Sequence, residues 1–217
     1  MRIAITSLLP LLLLLAPHLA QADAAADMAA GRRVEAAFGS LTSLRAEFRQ
    51  SVTDARGKAV ESAEGTMSLA RPGRFRWDYR EPAQLIVSDG VTVWFHDVDL
   101  EQVTIRPAAE TLEGTPAMLL TGKGDLSVEF AISDGGSAQG LSWSRLLPRR
   151  ADGDFRELRL GFAGSELRRM TLLDRLGQTT ELEFSRIERN PRIDPSQFRF
   201  TPPAGVDVVG RAPTGAT

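Results

Sequence analysis

Alternation of apolar and polar residues constrains this chain more than any other feature. In EGTMSLARPGRFRWDY, residues 64–79, Met67, Leu69, Phe75, Trp77 and Tyr79 carry odd numbers, and Ser68, Arg74, Arg76 and Asp78 carry even ones. Successive side chains of a strand point to opposite faces, so this segment builds one oily face and one wet face. The same period of two runs through LRAEFRQSV (44–52), QLIVSDGVTVWFHD (84–97), EQVTIRP (101–107), LSVEFAI (126–132), LSWSRLL (141–147), FRELRLGF (155–162), ELRRMTLL (166–173) and TTELEFSRI (179–187). DARG, Asp89–Gly90, SDGG, PRRADGD, FAGS and DRLGQ supply the turn chemistry between them. FRFTPPAGVDVV (198–209) predicts a short strand on each side of Pro202–Pro203. A chain patterned this way folds as about ten to twelve antiparallel strands in one large curved sheet, a mainly β (α+β) domain.

Two stretches break the pattern. DMAAGRRVEAAFGSL (27–41) has Val34, Ala37, Phe38 and Leu41 on one helical stripe, with Asp27 as a candidate N-cap and Gly39 as a stop. PAAETLEGTPAMLLTGKG (107–124) reads as two short helices with a bend between them, Pro116 starting the second. Both are placed to cover an apolar sheet face.

The start of the chain is different again. Arg2 precedes IAITSLLPLLLLLAP, and small residues follow. Residues 1–22 read as a secretory signal cut after Ala22, because the run is short for a membrane span and is interrupted by Pro10 and Pro17. Residues 23–210 then form a single domain, and 211–217 a flexible tail. Cleavage removes Arg2 and no acid, taking the net charge from −2 to −3. Such a surface does not suit nucleic acid, which demands concentrated positive charge. There is no cysteine, which excludes thiolate chemistry and N-terminal lipidation on cysteine.

Little in the chain supports catalysis. The segment after residue 22 has one histidine, His96, read as a solvated or capping residue at a strand end. No metal-ligand spacing and no phosphate-binding glycine motif occurs, so no cofactor is expected. Asp97/Asp99 and Asp152/Asp154 read as solvated turn residues. Binding is the better-supported role.

Arg71 raises the central question, since its odd number places a permanent charge on the parity of the oily face. Two arrangements are open. Pro72–Gly73, suited to the centre of a type II turn, resets the register and leaves Arg71 in solvent. Otherwise the guanidinium meets the free carbonyls at a helix end and acts as a latch on the covering helices.

The segments LRAEFRQSVTDARG, RPGRFRWDY, EPAQLIVSDGVTVWF, GTPAMLL and FRFTPPAGVDVV, in this order, resemble the LolA family of periplasmic outer-membrane lipoprotein carriers. The resemblance implies an incomplete antiparallel β-barrel whose open side is covered by short lid helices, and a carrier rather than an enzyme. It puts the family's lid-contacting arginine on Arg71 and a loop phenylalanine on Phe75. It implies a lid helix containing Pro116, Met118, Leu119 and Leu120, and an acyl-chain cavity lined by Phe38, Phe48, Met67, Leu69, Phe75 and Trp77. Implied partners are acylated lipoproteins as cargo, an inner-membrane ABC-type lipoprotein-releasing transporter and an outer-membrane lipoprotein receptor, with the protein itself a monomer. A sensor module, or a small hydrophobic-ligand binder of similar half-barrel fold, is the alternative.

Overall fold

Twelve strands form one continuous sheet in the computed structural model, which describes residues 17–112, 120–122, 126–150, 153 and 155–213, leaving aside the side chains of 17–22 and 112. The strands are β1 (Ser43–Thr53), β2 (Ala59–Ala70), β3 (Arg74–Tyr79), β4 (Gln84–Asp89), β5 (Thr92–Asp97), β6 (Gln102–Pro107), β7 (Phe130–Ala138), β8 (Leu141–Pro148), β9 (Phe155–Ala163), β10 (Glu166–Asp174), β11 (Thr179–Arg189) and β12 (Asp207–Gly210). Their order is β12-β6-β5-β4-β3-β2-β1-β11-β10-β9-β8-β7, open at β12 and β7. Every pairing is antiparallel except β12 with β6, which is parallel and so departs from the all-antiparallel expectation.

Alternation does what the sequence reading required. Met67 lies opposite both Ala46 and Trp77, and Leu69 opposite both Leu44 and Phe75. These side chains share one buried cluster with Val93, Leu146, Leu158, Leu160 and Phe162 from both wings of the sheet. A sheet whose two wings reach one core is curved around it. The paired odd residues therefore face inward, as a concave apolar surface. Gly65 sits opposite Phe48, and a Cβ there would run into the Asp78 carbonyl of β3 and fall 2.9 Å from the Phe48 ring, so the glycine admits both the neighbouring backbone and the aromatic.

Helix α1 (Pro17–Phe38) lies across this surface. It begins ten residues before the expected start, because the alanine-rich run before Asp27 continues the helix without interruption. Asp27 is therefore interior, not an N-cap, and its carboxylate accepts a hydrogen bond from the Asp134 amide at 2.8 Å. Ala30, Val34, Ala37 and Phe38 form the buried stripe. Arg33 donates to Asp134 (2.7 Å) and to the Trp143 carbonyl (2.9 Å), and Ser144 donates to the Ala30 carbonyl (3.1 Å). These bonds fasten the middle of α1 to β7 and β8.

Other expectations are corrected. SDGG is not a turn but lies within β7, and the chain reverses at Gln139–Gly140, both at positive φ. Gly135 serves close packing: a Cβ there would meet the Trp143 side chain at 2.9 Å. LSVEFAI is not wholly strand, since Leu126–Glu129 form a short helix α3 before β7 starts. Helix α2 (Ala108–Leu112) matches the first expected helical piece. The expected short strand at 198–201, just before Pro202, does not form. Pro195–Phe198 instead form a 3₁₀ turn capped by Asp194, and this segment crosses the outer face of the sheet. There Phe198, Val87 and Val103 are all buried, and Arg74 lies over the Phe198 ring at 5.8 Å. His96 is half-buried with its ring 5.6 Å from Phe200, so it is a packing residue more than a solvated one.

Candidate functional site

The β2–β3 turn carries Arg71 to the point where α1 ends. Its backbone is held on both sides: the Arg71 amide donates to Thr42 (2.8 Å) and the Gly73 amide donates to Thr121 (3.1 Å). The turn forms at Pro72–Gly73, and Gly73 lies in the left-handed region that a type II turn needs at that position. The Arg71–Pro72 peptide is cis, and Gly73 has φ 72°. The guanidinium is part-buried. Nη1 donates to the Phe38 carbonyl at 2.7 Å, and Nε donates to the Leu120 carbonyl at 3.2 Å. Phe38 is the last residue of α1, so its carbonyl has no partner within the helix. One cation thus joins the end of α1 to the helical residues 120–121. Of the two arrangements left open by the sequence, Arg71 adopts the inward one.

The local electrostatics are strained in a defined sense. Burial pulls the Arg71 guanidinium below its usual pKa, the nearby Arg189 adds to this, and Glu35 opposes both. Gly122 explains how the approach is possible. At φ 70°, it passes so close that a Cβ would fall 2.6 Å from the Arg71 side chain.

Arg189 was not foreseen. It donates from Nη1 to the Ala37 carbonyl at 2.8 Å, giving α1 a second arginine at its C-terminal end. Two cations there suit the partial negative charge of a helix C-terminus. The neighbouring Asn190 accepts from the Thr42 amide (2.9 Å) and donates to the Ser40 carbonyl (3.2 Å), tying the α1–β1 connection to the end of β11. The Asn-Pro pair at 190–191 marks this spot as a turn, but nothing in the sequence links it to α1.

Beside Arg189 lies a narrow apolar cleft with a cavity of only about 20 Å³, so the cover sits almost directly on the sheet. Phe38 and Leu120 form its lid side, and Leu44, Leu167, Phe184 and Ile187 line the sheet side. Further along the concave face, the Phe48 ring packs 5.3 Å from Trp77 and 5.0 Å from Tyr79. The Tyr79 hydroxyl donates to Gln50 at 3.2 Å. Burial, with Glu61 nearby, pushes the phenol up to about 12.

Of the residues assigned from sequence, Phe38, Phe48, Met67, Leu69, Phe75 and Leu120 fall in one buried cluster, and Trp77 packs against it. Phe75 is not in a loop. It lies in β3, opposite Leu69 and Ser88, and is 7 % exposed. The lid residues Pro116, Met118 and Leu119 lie outside the described residues. The site is an apolar hollow under a helical cover, with an arginine bridging two parts of that cover.

Comparison with known proteins agrees. Residues 39–201 match the family described as outer membrane lipoprotein carrier protein LolA. An outer-membrane lipoprotein carrier protein from Dechloromonas aromatica is 46 % identical over 168 residues, covering 77 % of this chain and 81 % of the relative. Its namesake from Methylobacillus flagellatus is 46 % identical over 178 residues, covering 82 % and 87 %. Among solved structures, an uncharacterized conserved protein from Thermus thermophilus superposes with a TM-score of 0.52 at 17 % identity, over 85 % of this chain and 98 % of that one, a likeness of fold. The chain belongs to the LolA family of outer-membrane lipoprotein carriers.

Proposed function

We propose that this protein is a periplasmic chaperone that accepts acylated lipoproteins from an inner-membrane ABC-type transporter, shields their acyl chains against the concave face, and delivers them to an outer-membrane receptor. Residues 1–22 act as the cleaved signal for export, and residues 23–210 as the carrier domain. The observation that carries this reading is the bridge from Arg71 to Phe38 and Leu120 over an apolar hollow. An ordinary core has no need of a cation tying two parts of its cover together.

The energetics explain the need for both hollow and bridge. Three acyl chains hold about 45 methylenes, and at about 0.8 kcal/mol each their exposure to water costs roughly 35 kcal/mol. Free diffusion across an aqueous gap is therefore negligible. An empty carrier with its hollow open would itself expose an apolar patch that invites aggregation. Arg71 holds the cover shut when no cargo is bound, and the chains displace the cover when they enter. Pro116, Met118 and Leu119 belong to the displaced part, and Phe38, Phe48, Met67, Leu69, Phe75 and Trp77 to the surface that receives the chains.

The sensor and small-ligand alternatives have less support, since relatives 46 % identical to the chain are named as lipoprotein carriers. The test is delivery. Protein loaded with a triacylated lipopeptide should keep it soluble and pass it to outer-membrane vesicles bearing the receptor. A lipopeptide that stays with its detergent or aggregates would overturn the reading.

A further inference from the structure

Among the described residues, the concave face of the sheet contains a buried polar atom that its surroundings do not satisfy. Trp77 stands on the inward parity of β3 between Met67 and Ile86, its ring against Phe48. Its indole Nε1 is buried and has no hydrogen-bond partner among the described residues. A buried indole N–H normally finds an acceptor, and leaving one unpaired is costly. Apolar packing alone does not call for this residue, since phenylalanine offers the same kind of face without the orphan donor. The nearby Tyr79 is different, because its hydroxyl already donates to Gln50.

We propose that Trp77 is a positioning and specificity residue whose indole N–H donates to the ester carbonyl oxygen of an acyl chain bound against the concave face. This rests on the carrier reading above and deepens it. Fatty chains esterified to an alcohol bring one polar atom set into the apolar cavity with them, and that set is acceptor-only at the carbonyl. A hydrophobic wall cannot tell an acyl chain from any other alkyl chain. A donor placed in that wall does so, because an ether-linked chain leaves it unpaired. The bond also fixes how deep the chain enters, since the carbonyl marks the chain's polar end. The cost of the orphan N–H falls on the empty protein and is relieved on loading, which favours acceptance of cargo without adding a strong hold that would oppose release.

The test compares a diacylated lipopeptide having two ester-linked chains with its dialkyl ether analogue of equal chain length, by competition for the wild-type protein and for Trp77→Phe. A neutral hydrogen bond is worth about threefold to tenfold in affinity. The wild type should favour the ester probe by that factor. Trp77→Phe should bind the two probes equally, so that the ester-to-ether affinity ratio falls to one whatever the change in overall affinity. A role in packing alone would weaken both probes together. A second readout needs no variant: the Trp77 indole proton resonance should move downfield with the ester probe and not with the ether. Equal binding of both probes by the wild type, a preference that survives in Trp77→Phe, or an unmoved resonance would each overturn the proposal. Failure of the wild type to bind either probe would overturn the carrier reading itself, and is distinct from a lost preference.

Discussion

At the scale of single residues, Arg71 and Arg189 divide the labour at the end of α1. Both reach its last carbonyls, but Arg71 alone of the two also reaches Leu120 among the described contacts. Hydrogen bonds from a charged donor are worth about 1.5–3 kcal/mol each, so loss of Arg71 weakens the closed cover by an amount of that order. Arg71→Leu should fold and still accept lipoprotein, but should deliver it poorly, because a cover that no longer closes removes the drive to expel cargo. Arg189→Met should loosen the α1 end and retain delivery. Transfer from a preformed complex to receptor-bearing vesicles measures both, and normal delivery by Arg71→Leu would remove the latch. The single tyrosine of the chain offers a second reading of the hollow. Its folded-state value of about 12 lies above the ordinary 10.0, so the neutral phenol is favoured by folding. That contribution is complete below about pH 10 and is lost between about pH 10 and 12, an amount of roughly 2–3 kcal/mol. Tyrosinate absorbance should therefore appear about two pH steps late in the folded protein and at the ordinary position in denaturant, and Tyr79→Phe should flatten the alkaline fall in stability.

At the scale of elements, legibility followed the regularity of the backbone. Strands β2 and β3 keep a period of two, so parity alone puts Met67, Leu69, Phe75 and Trp77 on one face, the resemblance adds Phe48, and that face is the one turned to the core. Strand β11 does not. Two of its residues, Arg186 and Ile187, stand opposite Ala46, and Arg186 has φ 48°. Such a bulge reverses parity, so Phe184 and Ile187 both face the core, and Arg189 follows Ile187 to α1. Nothing in TTELEFSRIER announces that extra residue, which is why Arg189 was missed. SDGG misled for the opposite reason: its glycines read as turn residues, yet one of them exists to let Trp143 pack. The C-terminal segment was opaque because its partner is remote in sequence. The turn Pro195–Phe198 packs on β3 and β4, with Arg74 over the Phe198 ring, a pairing no local pattern encodes. Phe198→Ala should cost about 3–5 kcal/mol in equilibrium denaturation, while leaving the inner hollow and cargo binding intact in the fraction that folds. A loss much below that would mean the outer cluster is not a stabilising core.

At the scale of the whole molecule, the open sheet has two different jobs on its two faces. The outer face near β3 to β6 is sealed by the chain's own C-terminal segment, so it is a permanent core. The inner face is covered by α1 and by residues 120–121, and their meeting point is held by an arginine instead of by packing alone. A cover held by a few polar bonds can be displaced by chains whose burial is worth far more than those bonds. On the proposed reading, this is how one fold both hides its apolar face and lends it out. The most direct check uses residues 23–217, added to spheroplasts that hold newly made lipoproteins and an active releasing transporter. The account predicts that a lipoprotein leaves the membrane in a soluble one-to-one complex with the protein. Lipoproteins that remain in the membrane, with the added protein folded and the transporter working, would contradict it.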